Sequence, residues 1–156
     1  MTDMYLSVSL EAKQDFDTDA VTRRLGVEPT QIRKLGTPMH PGHDALYKYS
    51  SWEWDTGHIS ADDAGSLIAQ AAAMFQSRAT VMRELADEYG GKWAIVLDGY
   101  VHSGDAPTVL LPPDFVEFCA AIGAIFQYVI DISYDYTSKG GADRGTAEDR
   151  PDTHRG

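Results

Sequence analysis

The chain has 156 residues, 43% hydrophobic and 10% aromatic, enough to bury one compact core and too few for two domains of ordinary size. Its 24 acidic residues outnumber 13 basic ones and leave a formal charge of −11, which argues against nucleic acid as a partner, because that affinity rests on Lys and Arg displacing counterions from phosphates. A single cysteine, Cys119, excludes an internal disulfide, no signal-peptide pattern opens the chain, and no apolar run approaches the ~20 residues of a membrane helix; a cytoplasmic protein with no membrane segment is expected.

Residues 4 to 10 alternate Met4, Leu6, Val8 and Leu10 with Tyr5, Ser7 and Ser9, the period-2 pattern of a strand with one buried face. Asp17 then offers a helix N-cap, Phe16 and Val21 are placed for a hydrophobic staple, and Gly26 follows Leu25 as a C-terminal stop. Pro29, Gly36, Pro38, Pro41 and Gly42 punctuate the next stretch, so 27 to 44 reads as a long loop. A second strand is predicted over 46 to 55, with Lys48, Ser50, Trp52 and Trp54 on one face and Tyr47, Tyr49, Ser51 and Glu53 on the other. Either face could be the buried one, the tryptophans carrying the larger apolar area.

Ser60 and Asp63 give a capping signature ahead of a helix striped by Ala64, Leu67, Ile68, Ala71 and Phe75. The stripe resumes at Val81, Met82, Leu85 and Tyr89 and stops at Gly90-Gly91, as a third helix or a kinked continuation. A strand follows over 93 to 101 and a short one over 106 to 111. Pro112-Pro113-Asp114 then opens a helix whose Phe115, Phe118, Cys119 and Ile122 form a core stripe ended by Gly123. The last strand is predicted from Ala124 to Tyr136. This order predicts one α+β domain over 1–136, an antiparallel sheet with helices packed on one face, in a ferredoxin-like or duplicated βαβ-like two-layer sandwich. Residues 137–156 lack periodicity and are expected to form a polar, flexible C-terminal tail.

Arg23, Arg24, Arg33 and Lys34, set against Glu28, make a positive island in an acidic chain. Arg23 and Arg24 fall in a helix's last turn, where cations complement the helix dipole. Arg33 and Lys34 have no such structural reason, and with Trp52 and Trp54 they are the candidates for binding a ligand or partner, as an anion and ring pocket. Asp131, Ser133 and Asp135 share one face of the last strand, and Asp98, Tyr100 and His102 share one face of the strand over 93 to 101. If those strands are neighbours facing the same way, Asp98, Tyr100, His102 and Asp131 form one patch of carboxylates, phenol and imidazole, a setting that can push carboxylate pKa values apart. Asp131 and Asp135 alone stand roughly 13 Å apart along a strand, too far for a carboxylate dyad.

His40, His43 and Asp44 surround a turn, but no second ligand pair follows at a motif distance, and His58, His102 and His154 are scattered. Cys119 lies in an apolar stripe and is expected to be a buried structural thiol. Gly90-Gly91 ends a helix where a phosphate-cradling loop would open one. No catalytic residue, cofactor or metal is therefore expected.

Leu25-Gly26-Val27-Glu28-Pro29-Thr30, then Lys34-Leu35-Gly36, Ser51-Trp52-Glu53-Trp54 and the final Ile130-Asp131-Ile132-Ser133-Tyr134 resemble the bacterial family called domain of unknown function 4279. The likeness covers about residues 4 to 136. It implies a strand and short helix, a Leu-Gly-hydrophobic-x-Pro-Thr turn, a Lys-x-Gly step, a Trp-bearing strand and a closing strand with an Asp. It implies no established activity and no catalytic residues, and the stretch from Thr37 to Asp44 and the Trp52-x-Trp54 doublet are not part of its pattern. The function expected is non-enzymatic binding of another, basic protein through the acidic surface, in a regulatory or immunity-type role. The alternative is a small-molecule enzyme or ligand sensor using Arg33, Lys34, Trp52 and Trp54.

Overall fold

The computed structural model of the protein describes residues 2–102 and 106–133. Strand β1 (Thr2–Ala12) leads to helix α1 (Thr18–Leu25), followed by β2 (Gln31–Arg33), β3 (Ser50–Asp55) and β4 (Ile59–Ala61). Helix α2 (Gly65–Phe75) passes through a 3-10 turn (Gln76–Arg78) into α3 (Ala79–Tyr89), then come β5 (Lys92–Val101), α4 (Pro113–Ile122) and β6 (Ile125–Ile132). The fold is α+β, a six-stranded open sheet in the order β2-β3-β1-β5-β6 with β4 also paired to β1. All pairings are antiparallel except β5 with β6, which are parallel and joined through α4. The mixed sheet and its helices make the α+β two-layer sandwich expected, and β5-α4-β6 is a βαβ unit. The tail expected over 137–156, and Asp135 with it, lies outside the described residues.

The period-2 pattern of β1 decides the layering. Met4, Leu6, Val8 and Leu10 face the helices together with Trp93, Ile95 and Leu97 of β5 and Trp52 and Trp54 of β3, all buried in one cluster with the inner stripes of α1 to α4. Trp52 packs edge-on to Trp93 and Phe75, with ring centroids 6.2 and 6.4 Å apart. The two fully buried indoles each have a partner, Trp52 Nε1 donating to Thr22 Oγ1 at 3.0 Å and Trp93 Nε1 to the Met82 carbonyl at 2.6 Å, so neither N–H donor is stranded. The Trp-bearing face of β3 is therefore the inner one, and both helix layer and sheet converge on it.

Local signals explain most element ends. Asp17 Oδ1 accepts from Ala20 N at 2.9 Å, and Gly26, with φ of 67°, closes α1 by donating to the Thr22 carbonyl. The capping signature of Ser60 and Asp63 resolves differently. Ser60 belongs to β4, α2 has no side-chain N-cap, and Asp63 Oδ1 instead accepts from Gly65 N at 2.8 Å. A strand over 106 to 111 does not form either. Thr108 makes a single bridge to Asp63, while Val109 and Leu111 pack against the core; the alternation reflects extended chain lying on the hydrophobic layer without a sheet neighbour. The predicted loop 27 to 44 contains β2, and the predicted strand over 46 to 55 begins regular pairing only at Ser50. Both short strands, β2 and β4, contain three residues, too few to show a period.

Candidate functional site

The outward-facing residues of the sheet are the odd-numbered positions of β1 and their register partners. Asp3 stands opposite Tyr100 and Ser60, Tyr5 opposite Asp98, Ser7 opposite Asp55 and Val96, and Ser9 opposite Glu53 and Ala94. Across the parallel pair, Asp98 aligns with Val129 and Tyr100 with Asp131. The face opposite the described helices thus gathers carboxylates and phenols at one end of β1.

A bulge shapes that end. Met4 pairs with Ile59 and Ser7 with Asp55, so Thr56, Gly57 and His58 oppose Tyr5 and Leu6 across one edge of β1. The surplus residue is absorbed where Gly57 takes a φ of 73° and its N–H donates to Asp55 Oδ1 at 2.8 Å. Leu6 keeps both backbone partners, donating to Thr56 Oγ1 and accepting from Thr56 N, each at 3.0 Å. The bulge re-aims the strand, as such insertions do, and sets the His58 ring against Tyr5 with centroids 4.6 Å apart.

Asp3, Tyr5, His58, Asp98, Tyr100 and Asp131 line a cleft of about 330 Å³ floored by Gly99. His102, just past the end of β5, contacts two of the lining residues, with Nε2 2.8 Å from Asp3 Oδ2 and its ring 4.7 Å from that of Tyr100. The His102 hydrogen bond, aided by one from Ser60, holds the Asp3 carboxyl below the ordinary carboxylate range against a smaller opposing effect of desolvation. Tyr5 moves the other way. Partial burial, then the hydrogen bond and negative charge of Asp98, push its phenol up to about 12. Among the described residues no Lys or Arg lines the cleft.

Three carboxylates beside two phenol rings form a chemical surface suited to a cation, through ion pairing at the carboxylates and attraction to the ring faces. Asp3 lies between His102 and Ser60 and is hydrogen-bonded to both. No group of three or more His, Cys, Asp or Glu side chains among the described residues is arranged to hold a metal ion.

Sequence reasoning placed Asp98, Tyr100, His102 and Asp131 on faces of two strands, and the structure makes those strands neighbours with all four residues on the outward side. Asp3, Tyr5 and His58 were missed. The polar half of the β1 alternation was the available signal for Asp3 and Tyr5, while His58 depends on a bulge that no periodicity announces. The other four candidates are not brought together. Trp52 is fully buried and Trp54 is 9% exposed, both on the helix side, whereas Arg33 lies on the outward side of β2 opposite Ser51. Arg33 Nη1 is bound to Glu53 Oε2 at 2.8 Å and Nη2 to Gln31 Oε1 at 2.6 Å, and Lys34 is exposed. The sheet itself separates rings from cations, so an anion and ring pocket of Arg33, Lys34, Trp52 and Trp54 does not form. Cys119 is buried, and burial raises its thiol pKa.

The fold and the cleft define a two-layer α+β arrangement whose outward sheet face carries an acidic and aromatic cleft. The chain matches the family described as "Domain of unknown function (DUF4279)" over residues 2–133, and it belongs to that family. No curated protein matches it, and no solved structure does. No helix among the described residues is long and apolar enough to cross a membrane.

Proposed function

We propose that the protein is a non-enzymatic binding protein whose outward sheet face captures a basic partner protein, in a regulatory or immunity-type role. One observation carries this reading. Asp3, Asp98 and Asp131 share a cleft with Tyr5 and Tyr100, and among the described residues no Lys or Arg lines it to neutralise them. A lysine or arginine side chain of a partner supplies the missing charge, and the ring faces add cation–π attraction. The overall charge of −11 acts at longer range, steering a cationic surface toward the protein. A cytoplasmic setting accords with the single cysteine.

The test is affinity capture with the full chain, comparing wild type with a variant carrying Asp3→Asn, Asp98→Asn and Asp131→Asn. The wild type is expected to retain a basic protein that elutes as salt rises and that the variant fails to hold. Equal capture by the variant, or retention indifferent to ionic strength, contradicts the reading.

A further inference from the structure

The cationic side chains of the described residues divide by type. All five arginines are engaged. Arg23 pairs with Asp17, Arg24 with Glu84 and Glu88, Arg33 with Glu53 and Arg83 with Asp87, while Arg78 donates to the Leu25 and Met74 carbonyls. None of the four lysines makes an ion pair or a side-chain hydrogen bond among the described residues. Three of the four, Lys13, Lys48 and Lys92, line a single cavity of about 560 Å³ together with Tyr49, Gly90 and Glu11. Glu11 is the one carboxylate in that lining, and although it stands in register with Lys92 across β1 and β5, the two form no ion pair.

Three lysines thus share one cavity with a single carboxylate, although in a chain with 24 acidic residues a neighbouring carboxylate for each was abundantly available. The lining includes Gly90, the residue that caps the C-terminal end of α3, where the Tyr89 carbonyl accepts from Gln14 Nε2 at 2.6 Å. Close packing joins the two strands beside the cavity. A Cβ on Gly91 would lie 2.9 Å from both the Glu11 carbonyl oxygen and Leu10 Cδ1, so the absence of a side chain there lets the start of β5 approach β1.

We propose that this cavity is a binding site for a small molecule bearing a phosphoryl group. Lysine ammoniums act as separate point charges, the form in which lysine commonly binds phosphate. Three of them suit the three terminal oxygens of a phosphoryl group better than the two of a carboxylate, and the Tyr49 ring offers a face for the rest of the ligand. The site goes beyond the binding role proposed above and does not depend on it. Lys13 and Asp3 are ten positions apart along the extended chain of β1, roughly 30 Å, so each site can be altered alone.

Isothermal titration of the full chain with inorganic pyrophosphate, and separately with citrate, at constant ionic strength tests the proposal. Pyrophosphate is expected to bind saturably at one site. Lys48→Gln and Lys92→Gln each weaken it at least tenfold, Lys48→Arg retains it, and Arg23→Gln, which removes the same charge outside the cavity, leaves it unchanged. The absence of saturable binding at millimolar pyrophosphate, or an equal loss in Arg23→Gln, overturns the site. Tighter binding of citrate than of pyrophosphate overturns its assignment to a phosphoryl group.

Discussion

His102 Nε2 lies 2.8 Å from Asp3 Oδ2 although 99 positions separate the two residues in the chain. The pairing of β1 with β5 runs antiparallel through Thr2 and Val101, which brings the beginning of one strand to the end of the other. One contact thus ties the cleft to the register of the two central strands.

The Asp3 carboxyl is held below the ordinary carboxylate range, chiefly by the His102 hydrogen bond. A lowered folded-state pKa favours the folded form above the unfolded value, and that contribution disappears as pH falls through the folded value. Replacing His102 with Ala is expected to bring the Asp3 titration back toward the ordinary range, as read from its side-chain carboxyl carbon by NMR. An unchanged midpoint would show that the contact does not persist in solution.

Tyr5 titrates at about 12, with burial the larger cause and Asp98 the next. Its raised pKa favours folding below the ordinary tyrosine value, and the advantage is lost as pH climbs through the interval up to about 12. Asp98→Asn is expected to lower the Tyr5 midpoint only part of the way, because desolvation remains. Selective NMR of the Tyr5 ring carbon measures it; a complete return to the ordinary value would reverse the order of causes.

Arg33 acts as a structural residue. Its ion pair with Glu53 leaves the two side chains only 20% and 16% exposed, so water screens it less than a surface pair. Arg33→Gln is expected to cost about 1.5–3 kcal/mol in urea unfolding, the scale of a hydrogen bond to a charged group. Arg23→Gln, whose pair is mostly exposed at 69% and 57%, should change stability by no more than about 0.5 kcal/mol. Equal effects would return Arg33 to the solvated surface.

Thr22 carries the polar end of the central tryptophan. Thr22→Val removes the acceptor of the buried Trp52 indole N–H at nearly constant shape, with an expected cost of about 1–3 kcal/mol. Thr22→Ser should restore most of it. A neutral Thr22→Val in chemical denaturation would mean that the indole finds water or another acceptor.

Periodicity made the core legible. The alternation of β1, the stripes of α2 to α4 and the Asp17 and Gly26 signals each follow from a burial or capping requirement local to the sequence. The same alternation misled at 106 to 111, where chain packed on the core has a strand's pattern without a strand's partner. The site was half visible. Asp98, Tyr100, His102 and Asp131 lie on predicted strand faces, yet their union with Asp3 and Tyr5 depends on strand order, and His58 on a bulge, both fixed by long-range pairing. Arg33 and Trp52, near neighbours in a composite motif, end on opposite sides of a sheet because adjacent positions on a strand point opposite ways.

The most direct test of the binding role is an amide hydrogen-exchange footprint of the full chain with its captured basic partner. Protection is predicted on the N-terminal half of β1, the C-terminal half of β5 and β6, around Asp3, Tyr5, Asp98, Tyr100 and Asp131. Protection confined to α1 through α4, with these strand segments unchanged, would contradict it.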